Sequence, residues 1–258
     1  LSSLLLVLVC SIAAHISVNA LNEYQDFRSG LDLDTERTPF SGGSGTLPAK
    51  PAMAPFAYRI SLVALVITLM AGLLLVYRHG SVLIIPGLVV VALILLYTSV
   101  INRYPFTCLL SPGLGFGIVM VGGSYFVFTG DYSWEIFLVS LVPFFLINNL
   151  LLLNQFPDVD ADRQFGRKHV TIHYGYRRSS QLYLLFLMLA AVALILSVLL
   201  RILPVASLLG LLLIAAAYPV YRAASRFQHD TESLIPYMGR NVAVVLFTPV
   251  LIGAPLYY

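Results

Sequence analysis

Residues 133–168 read SWEIFLVSLVPFFLINNLLLLNQFPDVDADRQFGRK. Residues 133–155 carry a single charge, Glu135, and exceed the roughly 20 mostly apolar residues that a helix needs to cross a bilayer. The run is too long for a strand, and its apolar positions fall on every side of a helix, as in a segment surrounded by lipid or by other helices. Directly after it come Asp158, Asp160 and Asp162, then Arg163, Arg167 and Lys168. The stretch therefore reads as a membrane helix that emerges into a densely charged loop.

Working outward with the same ruler gives further apolar segments at about 1–18, 57–77, 82–101, 107–128, 180–200, 203–221 and 240–257, eight in all. The fold class expected is all-α, a polytopic transmembrane helical bundle. Gly72, Pro86, Pro143, Pro219 and Pro249 lie inside these segments and are tolerated there, because neighbouring helices satisfy the freed backbone groups. Composition agrees. Of 258 residues, 59% are hydrophobic and 10% charged, against about 25% charged in a soluble domain. That excludes a disordered chain and an ordinary soluble enzyme. A net charge of +3, with basic residues scattered over loops, also excludes a nucleic-acid binder. Cys10 and Cys108 both lie in apolar stretches and read as small core residues.

If the segments alternate across the membrane, the loops 19–56, 102–106, 156–179 and 222–239 share one side. That side collects thirteen of the fifteen basic residues, all but Arg78 and Arg201, and ten of the twelve acidic ones, all but Asp131 and Glu135. The excess of Arg and Lys makes it the cytoplasmic side. Segment 1–18 resembles a signal peptide in length but lacks a basic start. The reading preferred is a helix entered part-way, with an upstream helix missing and residues 1–258 forming one N-terminally truncated domain.

Two acidic motifs continue from apolar segments on that side. One is NALNEYQDFRSGLD, with Asn19, Asn22, Glu23, Asp26, Gly30 and Asp32; the other is Asn154, Asp158, Asp160 and Asp162. On continuing helices Asn22 and Asp26 share a face, as do Asn154, Asp158 and Asp162. Carboxylates stacked one turn apart repel, and a hard divalent cation removes that cost. Carboxylate and amide oxygens suit Mg²⁺, which binds through one or two carboxylates plus substrate phosphates. Two such motifs would hold a Mg²⁺-diphosphate between helices. Asp160 points away on a helix and reads as solvated, as do Asp34 and Glu36 in their loop. The Gly/Ser-rich loop RTPFSGGSGTLPAK, residues 37–50, is either a source of backbone N–H groups for phosphate or a plain linker; it is no P-loop, for no Gly-Lys-Ser/Thr follows. Arg163, Arg167 and Lys168 stand where cations would neutralise a departing diphosphate.

At these residues the chain resembles the UbiA superfamily of intramembrane aromatic prenyltransferases. The likeness rests on Asn22-Glu23-x-x-Asp26-x-x-x-Gly30-x-Asp32, on Asn154-x-x-x-Asp158-x-x-x-Asp162-Arg163-x-x-Gly166-Arg167, and on Gly175. Tyr97 with Gly113-Leu114-Gly115 is similar to a third, weaker family stretch. The first motif is most similar to the menaquinone branch, which prenylates 1,4-dihydroxy-2-naphthoate. The resemblance implies a nine-helix fold with the motifs on its second and sixth helices, so the missing helix would be the first. This chain departs from the family pattern at Glu23, usually Asp, at Phe116, often acidic, and at His169, commonly Thr.

The resemblance further implies a reaction. Asn22, Glu23, Asp26, Asp158 and Asp162, helped by Asn154, would hold Mg²⁺ and a polyprenyl diphosphate. The allylic C–O bond would ionise, Arg163, Arg167 and Lys168 would stabilise the leaving group, and an electron-rich ring carbon of an aromatic acceptor would attack. Tyr97 either contacts the allylic cation or packs; Arg103 either meets the acceptor carboxylate or reflects topology alone. His169 and His173 read as solvated loop histidines, His15 as a hydrogen-bonded bundle residue. The partners expected are the two substrates and the bilayer of a bacterial or archaeal plasma membrane, with no nucleic acid. Acceptors left open are 4-hydroxybenzoate and homogentisate; an ion-coupled transporter is the competing class.

Overall fold

The computed structural model describes residues 2–257, and among these every regular element is helical. Seven helices are long and apolar enough to cross a membrane. They are α1 (Ser2–Ser29), α2 (Ala54–His79), α4 (Pro105–Thr129), α5 (Trp134–Asn154), α6 (Val170–Leu199), α7 (Val205–Arg226) and α8 (Thr231–Gly253). The segment expected at 82–101 is shorter. Its helix α3 (Ile84–Leu96) has 13 residues, about 20 Å of length against a hydrocarbon core of roughly 30 Å. Seven of the eight expected segments thus form helices long enough to span alone, and the eighth runs from the His79 end to Asn102 at the charged end on a shorter helix. α8 begins well before the apolar run expected at 240–257, and α6 joins a short helical stretch to the apolar run at 180–200 across a kink at Gly175 (φ 78°, ψ 167°). Their polar first turns are capped by His169, which accepts from the Ile172 N–H, and by Asp230, which accepts from the Ser233 N–H.

α1 packs along α2, and α5 along α6, so each motif-bearing helix is paired with the next long one. Lipid offers apolar side chains no reason to hide, and helix contacts rely on small residues instead. The α1–α2 seam is built that way: Ala13, Ser17, Ser61, Ala64, Thr68 and Ala71 are buried, and the Ser17 hydroxyl donates to the Ser61 carbonyl at 2.9 Å. On the outer face of α2, Val63, Val66 and Met70 are exposed, as lipid-facing residues are.

α4 contains a π-helical stretch, Gly113–Val119, where it crosses α5. A Cβ on Gly113 would sit 2.5 Å from the Phe144 carbonyl oxygen and one on Gly117 2.6 Å from the Phe144 Cα. The Gly113 N–H donates to Asn148 Oδ1 at 2.7 Å. Such backbone-to-backbone contact leaves no room to repack. Gly117→Ala is expected to cost about 1–3 kcal/mol, read as a lower melting temperature in detergent. Gly123→Ala, with no atom within 4 Å of its Cβ position, is the control and should melt with the parent.

The charged loops meet at one end of the bundle. Arg167 contacts Asp26, the Lys168 N–H donates to the Asn102 carbonyl at 2.9 Å, and the rings of Tyr176 and His229 meet edge to face at 4.5 Å. The far end holds Ser3 and His79, 3.0 Å apart, and the stacked Phe126 and Tyr132 rings. Segregation of charge, read from alternating segments, is a property of the folded bundle.

Candidate active site

The first motif lies on the last turns of α1, which stays helical through it. Asn22 Nδ2 donates to Asp26 Oδ2 at 3.0 Å and to Thr98 Oγ1, beyond α3, at 2.9 Å. Gly30, at φ +91°, ends the helix in the left-handed conformation that glycine takes without penalty, and Asp32 follows, buried. The Gly/Ser-rich loop then folds back over the motif. The Ser44 hydroxyl donates to Glu23, and the Ser44 N–H donates to Glu23 Oε2 at 3.4 Å.

The second motif does not continue as one helix. α5 ends at Asn154; residues 155–158 form a turn, and a short helix, Val159–Gln164, starts after Asp158. Pro157 is the reason, since it lacks the N–H for the next helical bond and its ring clashes with the carbonyl four residues back. The shared helical face expected for Asn154, Asp158 and Asp162 is thus replaced by a turn, yet all three line one cavity. Arg167 joins the motifs: Nη1 donates to Asp162 Oδ1 at 3.0 Å and Nη2 to Asp26 Oδ1. His169 is not solvated but 2% exposed. Its Nδ1 caps α6, accepting from the Ile172 N–H, which leaves Nε2 facing Asp162 Oδ2 at 3.1 Å.

The cavity measures about 460 Å³ and is walled by Asn22, Glu23, Asn154, Asp158, Asp162 and Arg167, with Thr38–Ser41 and Ser44 of the loop alongside. A second cavity of similar volume, nearly all apolar, runs among α1, α2, α3 and α4 past Leu73, Val90, Leu93 and Phe116. Asn19, Asn22 and Tyr97 line both, so Tyr97 marks the throat between a polar and an apolar chamber.

Unpartnered oxygens collect on the wall of the polar chamber. Asn154 Oδ1 and Asp158 Oδ1 are buried with no hydrogen-bond partner. Burial pushes the Asp158 carboxyl up to about 7; the nearby Asp162 charge adds to the rise and Arg167 restrains it. Asp32 is likewise pushed up to about 7 by burial and by the charges of Asp26 and Glu23. Burial works against the charge of Arg167, but Asp162 and Asp26 outweigh it and raise its pKa above the ordinary value. Bare hard oxygens in a ring of strained carboxylates fit a hard divalent cation. Among the described residues no three acidic, His or Cys side chains gather tightly enough to hold a metal alone. Mg²⁺ asks for less, keeping waters and sharing substrate phosphates.

The sequence profile of the UbiA prenyltransferase family matches residues 1–238. The chain belongs to this family. It is 31% identical over 166 residues to 1,4-dihydroxy-2-naphthoate octaprenyltransferase of Bacillus subtilis, a match covering 63% of this chain and 51% of that protein. The chain thus aligns with about half the length of this relative. No solved structure matches it.

Within this UbiA-family chain, the fold gathers most of the expected site residues at the cavity and leaves four off its wall. Asn22, Glu23, Tyr97, Asn154, Asp158, Asp162 and Arg167 line the polar cavity. Asp26 does not reach its surface, being engaged by Arg167 and Asn22. Arg163 is exposed and pairs with Asp160 at 3.6 Å; Lys168 and Arg103 are exposed, and none of the three lines the cavity. Residues that sequence reasoning missed are His169, Gln155, Asn102 and Cys108, all buried at the cavity wall. Gln155 adjoins Asn154 in the motif, which was a usable signal; Asn102 and Cys108 carried none.

Proposed function

We propose that the protein transfers a polyprenyl group from a polyprenyl diphosphate to an aromatic acceptor, 1,4-dihydroxy-2-naphthoate first among the candidates, on the cytoplasmic side of the membrane. The observation that supports this is the pair of chambers: a polar one with bare oxygens at the charged end, and an apolar one beyond Tyr97. A molecule with a diphosphate head and a hydrocarbon tail fits that shape, and few others do. Asn22, Glu23, Asp158 and Asp162, with Asn154, would hold the cation, and Asp26 acts through Arg167. When bound, Mg²⁺ supplies charge neutralisation and polarisation of the diphosphate's bridging oxygen. Arg167 meets the leaving diphosphate with a fork of donors. The apolar lining keeps water from the allylic cation, and Tyr97 presents its ring at the point where that cation would form. The acceptor's ring carbon bonds to the prenyl C1; loss of a proton, or of CO₂ where the reacting carbon bears a carboxylate, restores aromaticity. The carboxylates sit at helix ends rather than at mid-bundle on interrupted helices, which weighs against ion-coupled transport.

The test is to incubate purified protein with a labelled polyprenyl diphosphate, Mg²⁺ and, in parallel, dihydroxynaphthoate, 4-hydroxybenzoate and homogentisate, and to identify products by mass. The expected result is prenylation of dihydroxynaphthoate in preference to the others, lost on chelation and restored by Mg²⁺. Preference for 4-hydroxybenzoate would move the acceptor and leave the chemistry standing; full activity in excess chelator would remove the cation from the reading.

A further inference from the structure

One orphaned oxygen in the polar chamber stands apart from those facing the cation. Gln155 is the first residue after α5, 6% exposed, and on the cavity wall. Its Nε2 donates to Cys108 Sγ at 3.5 Å, and Cys108 spends its single S–H on Asn102 Oδ1 at 3.4 Å. With that hydrogen committed, the sulfur accepts from Gln155, so the amide turns its nitrogen to Cys108 and leaves its carbonyl oxygen free. Gln155 Oε1 is buried without a donor, a state that is unfavourable until a donor arrives. Neither half of a prenyl diphosphate can supply one, since a diphosphate at neutral pH is all acceptor and the tail is hydrocarbon. A ring hydroxyl can.

Position agrees with that chemistry. The Tyr97 hydroxyl lies 4.0 Å from the same sulfur, so Gln155 and the throat residue Tyr97 are both neighbours of Cys108 on the wall of one cavity. There the acceptor ring carbon must come within about 3–3.5 Å of the prenyl C1. Resting on the prenyl-transfer reading above, we propose that Gln155 Oε1, held by Cys108 and Asn102, is the anchor for a hydroxyl of the aromatic acceptor. This subsite selects rings with a free O–H and sets their reacting carbon at the throat. An O–H···O=C bond also leaves electron density on the phenolic oxygen, which favours attack by the ring.

The experiment measures steady-state transfer by the parent, Gln155→Met and Gln155→Glu, with dihydroxynaphthoate and its monomethyl ethers. Gln155→Met removes the carbonyl at similar volume; it should raise the acceptor KM about 10- to 100-fold and abolish discrimination between hydroxyl and ether. The KM for prenyl diphosphate and the Mg²⁺ concentration for half-activity should stay unchanged. Gln155→Glu keeps an acceptor oxygen and should restore most of the acceptor affinity. A shifted Mg²⁺ requirement or diphosphate KM at constant acceptor KM would overturn the proposal by placing Gln155 among the cation ligands. A Glu variant that folds but binds acceptor as weakly as the Met variant would overturn it as well. A parent protein that prenylates no hydroxylated ring would instead bring down the underlying function.

Discussion

Asn in place of Asp158 is expected to lower prenyl transfer about 1,000-fold or more while making the ligand-free protein more stable above neutral pH. The two effects have one cause. Asp158 has an unpartnered oxygen, and burial pushes its carboxyl up to about 7, so the fold holds it against its own solvation. Losing a carboxylate that would hold the cation against the diphosphate removes several kcal/mol of barrier reduction, and each 1.4 kcal/mol is a factor of ten in rate. For stability, the folded-state pKa lies above the unfolded value of 3.8. Between those values the folded form binds more protons, so its stability declines as pH rises through the window. Thermal unfolding in detergent should therefore show Asp158→Asn melting above the parent at pH 8 and level with it near pH 4. Parent activity should rise through pH 7 as the carboxylate ionises. Retained activity in the variant, or a melting difference independent of pH, would remove Asp158 from the cation site.

Membrane segments and the first motif were legible because both are local. A continuous helix puts Asn22 beside Asp26 whatever surrounds it, and apolar length needs no tertiary information. The second motif was legible as a set of residues but not as a shape: Pro157 stood in the sequence, and the helix was nevertheless carried through it. The chain accommodates the break because the turn still directs Asn154 and Asp158 into one cavity. Sorting of the basic residues failed for a different reason. Arg163, Arg167 and Lys168 are equivalent by topology and by distance along the chain, and only docking of the loop onto α1 selects Arg167. His169 was misread as solvated because its burial comes from packing at the start of α6, which hydropathy cannot register. Cys108 read as a core residue, and it is buried; its bonds to Gln155 and Asn102 depend on a crossing of α4 and α5 that periodicity does not encode.

Arg167→Met is expected to destabilise the protein by about 3–5 kcal/mol, as loss of one partner from a buried ion pair does, and to abolish transfer. The side chains concerned are largely enclosed: 20% exposed for Arg167, 11% for Asp26 and 5% for Asp162. Removing the guanidinium would leave carboxylates from both motifs facing each other without a counter-charge, and α1 would be pushed from the loop after α5. Three comparisons separate this from a simple packing loss. Arg167→Lys keeps the charge but loses the two-pronged donor, so it should recover part of the stability and little of the activity. Asp26→Asn with Asp162→Asn in the Arg167→Met background removes the repulsion and should recover stability with no activity at all. Added Mg²⁺ should raise the melting temperature of Arg167→Met more than that of the parent, because a dication can take the place the guanidinium left. Melting of Arg167→Met at the parent's temperature would mean that the bridge does not hold the two motifs together. If instead the Mg²⁺ effect is present and the Lys variant intermediate, Arg167 is the counter-charge that keeps the two motifs together and then turns to the diphosphate when substrate brings its own cation.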